Sequence, residues 1–315
     1  MHQYLIKRLL LLPPTVFIIS VLVFGIVRLF PGDVLDVLTA DSGVSQQDLD
    51  RERDRLGLTK PLHEQYLVWM GSMLRGDFGK SLWTKRPVAR DIERRFPVTV
   101  ELGVLSLFFS VVIGIPLGIL SAVRQDSLAD YLARSVAFLA LSVPGFWLAT
   151  MLILFLSVGL HWIPPLRYTS LTDNPWLNIQ QFLAPAFILG IHLAAVLLRM
   201  TRTALLEVLR QDYIRTAWSK GLSERVVLVR HAFRNSLIPV VTILGLQVAL
   251  LIGGSVIMES IFNLPGLGQY IFQVIVVRDY PAVQAVNLLL ATVVIAANLL
   301  VDVSLAYIDP RIRYA

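Results

Sequence analysis

Six stretches of this chain lack Asp, Glu, Lys and Arg and are long enough to cross a bilayer: 9–27, 102–123, 135–165, 175–198, 235–258 and 281–301. Nothing else in the sequence limits the fold as strongly. In the third stretch, 135–160 is the part expected to span. A hydrocarbon core about 30 Å thick takes roughly 17–25 helical residues to cross. Lipid offers no partner to a free amide or carbonyl, so each stretch must satisfy its own backbone as a helix. The expected fold class is therefore all-α, a polytopic membrane protein with six transmembrane helices. Composition agrees, with 56% apolar and 16% charged residues, against about 45–50% and about 25% in soluble domains.

The first stretch has 19 uncharged residues, more than the roughly 7–15 of a signal-peptide core, and is read as a span. There is no cysteine, which excludes disulfides and thiolate metal sites. His63-Glu64 lacks the second histidine of a zinc-protease pattern, so no metal or catalytic group is assigned. The net charge of +6 follows the spans rather than a nucleic-acid surface. With the N-terminus inside, Lys7, Arg8, Arg124, Arg134, the eight bases from Arg199 to Arg234, Arg311 and Arg313 all face the cytoplasm, as the positive-inside rule requires. Outside lie Arg167, Arg278 and the 31–97 segment, whose 67 residues exceed the length of about 60 beyond which loop charge stops steering topology. Both termini are then cytoplasmic, and the chain divides into 1–30, an exterior helical segment 31–97, and a five-helix core 98–315 containing a cytoplasmic loop 204–236.

The exterior segment reads as short amphipathic helices. Ser45 caps one that Gly57 ends; Leu62, Tyr66, Trp69, Met70 and Met73 form a stripe behind Pro61; Val88, Ile92 and Phe96 form another. Gly79-Lys80-Ser81 imitates the end of a phosphate loop, but Leu74 stands where its first glycine belongs, and nucleotide binding is rejected. Within the spans, Pro116, Pro144, Pro185 and Pro239 predict kinks. His192, Gln247, Asn287 and Asn298 are the polar candidates for a translocation path, or else interhelical hydrogen-bonding residues. No acid stands at mid-span in this reading: Glu101 and Asp302 lie near the span ends, where the roughly 2.5–3.5 kcal/mol cost of a central charge is smaller. A proton-coupled secondary transporter is accordingly the lesser alternative.

Between the fourth and fifth spans runs DYIRTAWSKGLSERVVLVRHAFRN, 212–235. Asp212 is placed to cap a short helix, Gly221 to end it in a left-handed turn, and Ser223 to cap the next. Ile214, Ala217, Trp218 and Gly221 share one face. One reading is a basic interfacial helix held by anionic lipid. The other is a knob docked on a cytoplasmic protein, for which the glycine sets the bend and permits close approach.

This stretch resembles the cytoplasmic loop of bacterial ATP-binding-cassette importer permeases. Arg215, Thr216 and Ala217 stand at its Glu-Ala-Ala positions, Gly221 at its glycine, and Pro239 closes the motif. Arg-Thr-Ala-x-x-Lys-Gly-Leu followed by Arg-His-x-x-Arg-Asn is similar to the dipeptide/oligopeptide/nickel branch. So are Arg28-Leu29-Phe30-Pro31-Gly32-Asp33, Gly76-Asp77-Phe78-Gly79 with Ser81, the run from Gly253 to Gly268, and Asp309-Pro310-Arg311-Ile312-Arg313. The resemblance implies a permease subunit carrying short peptides, with nickel complexes, glutathione, opines or oligosaccharides as alternatives. It implies a second homologous permease subunit, two ATP-binding subunits that hold ATP and magnesium, and a periplasmic binding protein. The chain itself would bind no cofactor and catalyse nothing. Tyr213, Ile214, Arg215, Thr216, Ala217, Trp218, Lys220, Gly221 and Leu222 would couple it to the ATPase, with Trp218 and Ile214 as apolar anchors.

Overall fold

A computed structural model describes residues 2–29, 51, 53–54, 57, 59–165 and 167–308. The helix expected at Ser45, the 30–33 part of the first family motif and the 309–313 tail lie outside the described residues. The helices are α1 (His2–Leu29), α2 (Leu62–Leu74), α3 (Val88–Val123), α4 (Leu128–Ser142), α5 (Gly145–Gly159), α6 (Pro175–Leu209) and α7 (Asp212–Ser219). Then come α8 (Glu224–Ile261), α9 (Leu267–Val276) and α10 (Tyr280–Ile308). Among the described residues there is no β-strand, only an isolated bridge from Lys80 to Pro87.

Five helices (α1, α3, α6, α8 and α10) are long and apolar enough to span a membrane. The third uncharged stretch departs from expectation. It is not one rod but α4 and α5, bent by 94° at their junction. Pro144 lacks an amide hydrogen and forces the residue before it out of helical geometry; Val143 duly takes φ −93, ψ 124. A second departure concerns Val88, Ile92 and Phe96. They do not form a separate helix but open α3, which continues through Pro97 for 36 residues. At 1.5 Å per residue that is about 54 Å, well beyond a hydrocarbon core of about 30 Å.

The described residues form two compact units, one built from the start of α1 up to Ile6, Thr99–Leu264 and the end of α10 from Ala296, the other from Lys7–Val98 with Pro265–Ile295. In the first unit α6 is the most buried helix, and α3 crosses it at small residues. A Cβ on Gly114 would lie 2.8 Å from the Ala194 carbonyl oxygen, and one on Gly118 would lie 2.7 Å from Thr201 Cβ. Small residues four apart let helix backbones approach, which is how packing replaces the hydrophobic effect in lipid. In the second unit α2 lies on α1: the Tyr66 hydroxyl meets the Ser20 hydroxyl at 2.8 Å, and Arg28 donates to Gln65 Oε1 at 3.0 and 2.8 Å. The turn after Gly79 is tied to Asp279, whose carboxylate accepts from the Ser81 hydroxyl and from the Leu82 amide at 3.1 Å. A carboxylate therefore sits against the very hydroxyl and amide that a phosphate loop would offer. Burial pushes the Tyr270 phenol up, and Asp91 and Asp279 push it further, so it remains a donor to Asp91 at 3.3 Å.

Candidate functional site

The loop between α6 and α8 folds into a two-sided helix. Gln211, not Asp212, is the residue before α7; Asp212 begins the helix, where its charge suits the positive end of the dipole. It also accepts from Arg215 Nη1 at 3.3 Å. Thr216 and Ser219 hydroxyls bond back to the carbonyls of Asp212 and Arg215. The helix ends in a Schellman turn: Leu222 N–H reaches the Ala217 carbonyl at 3.4 Å and Gly221 N–H reaches Trp218 at 2.9 Å. Gly221 holds φ +76, a left-handed value that side chains with a Cβ resist. Ser223 precedes α8 without making the side-chain cap its sequence position promised.

One face of α7 is rooted in the protein. Ile214 is 0% and Ala217 7% exposed, packed with Ala122 of α3, Leu205 of α6 and Val227 and Ala232 of α8. This corrects the expectation that Ile214 is an anchor for a partner: its side chain is already consumed in seating the helix. The residues that flank this rooted face, and those behind it, are exposed within this chain. Tyr213 is 43%, Trp218 44% and Leu222 39% exposed, and Arg215, Thr216, Lys220 and Gly221 are exposed as well. Asn235 Nδ2 of α8 donates to the Tyr213 hydroxyl at 2.9 Å, fixing the ring at the rim. A Cβ on Gly221 would meet nothing within 4 Å, so that turn is open to approach.

Behind α7, α8 contains a π-helical segment, Val227–Phe233. Its wider hydrogen-bonding ring is less stable than an α-turn, and such segments mark places where a helix can change register.

Two buried acids add to this picture. Asp130 is fully buried and accepts from Arg202 Nε and Nη2, from the Ser121 hydroxyl and from the Asp126 amide. It ties the end of α3, the turn into α4 and the C-terminal part of α6 together. Ser121 is the neighbour of Ala122, and Arg202 lies one turn from Leu205, so the ion pair adjoins the seat of α7. Glu259, also fully buried, accepts from the Thr99 hydroxyl at 2.7 Å. The sequence places Glu101 and Asp302 as the acids near span ends but assigns no role to Asp130 or Glu259, because neither burial nor a partner on a distant helix shows in the local pattern.

The polar candidates for a path separate. Gln247 is buried, accepting from Ser110 at 3.1 Å and donating to the Leu193 carbonyl at 2.8 Å. It joins α3, α6 and α8 as a hydrogen-bonding residue. Next to Leu193, His192 places its ring nitrogens 2.9 Å from the carbonyl oxygens of Val143 and Ile188, bracing the break between α4 and α5. Asn287 donates to the Val283 carbonyl at 2.9 Å and lines a cavity of about 470 Å³ with Val27, Arg278 and Tyr280. Asn298 is exposed on α10. Gln247 thus bonds to the carbonyl of Leu193, the chain neighbour of His192.

Residues 114–314 match the family described as binding-protein-dependent transport system inner membrane component, and residues 1–103 match its N-terminal counterpart. The chain is 38% identical over 334 residues to the dipeptide transport system permease protein of Alkalihalophilus pseudofirmus, covering 100% of both. It is 42% identical over 314 residues to the glutathione transport system permease protein of Escherichia coli K12, again covering 100% of both. In fold it resembles the MetNI methionine ABC transporter in its inward facing conformations, with a TM-score of 0.54 and 21% identity over 70% of this chain and 96% of that one. These likenesses and the apolar helices define a membrane component of a transport system. The chain belongs to the binding-protein-dependent transport system inner membrane component family, within its dipeptide/oligopeptide branch of ATP-binding-cassette importer permeases.

Proposed function

We propose that this chain is one of two permease subunits of an ATP-driven importer and forms part of the path for short peptides. A periplasmic binding protein delivers the peptide, and two ATP-binding subunits hold ATP and magnesium and perform the hydrolysis. The chain sits in the inner membrane with six crossings, α4 and α5 together making the third, and with both termini in the cytoplasm. Residues 31–97 then lie outside, and the 204–236 loop faces the ATPase.

The observation that carries this reading is the division of α7 into a rooted and a free face. Ile214 and Ala217 fasten it to α3, α6 and α8, while Tyr213, Trp218 and Leu222 offer apolar surface to a second protein. Arg215 and Lys220 flank that surface and supply charge complementarity, which favours specificity and association rate over net affinity. When the ATPases close, α7 moves as a rigid piece and pulls directly on the spans it is packed against. The π segment of α8 gives way first. This is a two-state element biased by a ligand bound on another subunit.

The 42% identity to a glutathione permease favours a second cargo of closely related chemistry, a small thiol peptide. The test is uptake of a labelled dipeptide and of glutathione into proteoliposomes holding the full complex and its binding protein. ATP-dependent accumulation of either supports the reading and selects the cargo. Uptake that persists without ATP and collapses with the proton gradient overturns it in favour of an ion-coupled carrier.

A further inference from the structure

Below the break in the third crossing, α4 and α6 line an open groove of about 630 Å³ that the transport reading leaves unused. Its α4 wall is a single helix face, Tyr131, Arg134, Phe138 and Leu139, spaced by three, four and one residues. Its α6 wall carries Arg199, Arg202 and Thr203. The chemistry is graded along the helices. Arginines from both walls gather at one end, the start of α4 and the last turns of α6. Phe138 and Leu139 lie a turn or more deeper and are 70% and 61% exposed.

The charges do not cancel. Arg202 is consumed by Asp130 through two bonds of 2.9 Å. Arg134 lies at the 4.0 Å limit of the same carboxylate, with its guanidinium 5.0 Å from the Tyr131 ring. Among the described residues, no carboxylate pairs with Arg199. Asp130 thus serves Arg202 and, at the limit, Arg134, and Asp126 also acts on Arg202, which leaves Arg199 and most of the Arg134 charge uncompensated at the polar end. A guanidinium presents a planar fork of donors matched to phosphate oxygens, and basic pockets between spans on the cytoplasmic side suit acidic headgroups.

We propose that this groove holds one acidic phospholipid of the inner leaflet, its phosphate between Arg134 and Arg199 and its acyl chains against Phe138 and Leu139. The free phosphate ion matches the polar end but not the apolar one, and a neutral lipid matches the apolar end but leaves Arg199 uncompensated. Because Arg202 and Asp130 form one wall and adjoin the seat of α7, an occupied site braces the level at which force from the ATPase enters the bundle. The proposal rests on the topology above, which puts the arginine end at the cytoplasmic face.

The test uses the full complex in nanodiscs of phosphatidylglycerol mixed with phosphatidylcholine, with retained lipids read by native mass spectrometry. Arg134→Gln combined with Arg199→Gln leaves Arg202 and Asp130 in place, and retention of phosphatidylglycerol is expected to fall about tenfold. Inorganic phosphate at millimolar concentration should not displace the lipid. Equal retention by the double variant, equal retention of phosphatidylcholine, or displacement by phosphate each overturns the site. So does a benzophenone side chain at position 138 that captures the second permease subunit in place of lipid. The native chain has no cysteine, so labelling of an Arg134→Cys variant by an impermeant thiol reagent reads the topology separately. Labelling from outside refutes the orientation even if the lipid is retained.

Discussion

Arg202 and Asp130, 72 positions apart in sequence, meet through two hydrogen bonds of 2.9 Å, with the Asp130 side chain wholly enclosed and that of Arg202 17% exposed. A buried pair of this kind adds little over an apolar pair of equal volume, because desolvation offsets most of the attraction, but losing one partner strands the other. Asp130→Ala is thus expected to destabilise the chain by about 3–5 kcal/mol. Asp130→Leu combined with Arg202→Met should recover most of that loss. Thermal unfolding of the detergent-solubilised complex measures both, and equal losses in the single and double variants would count against a buried pair.

Crossing α3 over α6 depends on missing side chains. A Val at position 118 would drive its Cβ to within 2.8 Å of the Leu198 carbonyl oxygen as well as onto Thr201. Backbone cannot step aside cheaply, so Gly118→Val should cost about 1–3 kcal/mol and lower the yield of folded protein. Gly253, with nothing within 4 Å of its Cβ position, is the control: Gly253→Ala should leave the yield unchanged.

The left-handed turn at Gly221 separates conformation from contact. Since the surroundings are open and only φ +76 is demanding, Gly221→Asn should be tolerated better than Gly221→Val, Asn being the side chain most at ease there. Both variants should assemble in the membrane. Stimulation of ATP hydrolysis by the loaded binding protein should survive in the first and fail in the second, and equal stimulation in both would remove the turn from the coupling path.

Much of this was legible in the sequence. Uncharged length marked the crossings because lipid leaves a backbone no alternative to helix, and Gly221 announced a left-handed end because few other residues accept one. Pro144 predicts a kink, but its size is not legible in the sequence: at the 94° turn the Val143 carbonyl meets the ring of His192, 49 residues further along the chain. The inward face of α7 was missed for a related reason. Periodicity put Ile214 and Trp218 on one side, yet their four-residue spacing leaves the stripe wide enough for Ile214 to be enclosed by α3, α6 and α8 while Trp218 projects past them. Asp130 and Arg202 had no local signature at all, since an ion pair between distant helices leaves no period in the chain.

Root and knob should respond differently to truncation. Ile214→Ala empties a site bounded by three helices and is expected to cost about 2–5 kcal/mol, lowering the unfolding midpoint. Trp218→Ala removes an exposed ring and should leave that midpoint within experimental error while weakening capture of the ATP-binding subunits. Pull-down beside thermal unfolding distinguishes the two, and a Trp218→Ala protein that unfolds early would place the indole in the core.

The most direct measurement is photocrosslinking from position 218 in the full complex, produced with its partners in the native membrane. A benzophenone side chain replacing Trp218 should yield one adduct whose mass equals this chain plus an ATP-binding subunit, with a yield that changes when ATP is added. Adducts with phospholipid alone, unchanged by nucleotide, would contradict the coupling role of α7 and leave it an interfacial helix.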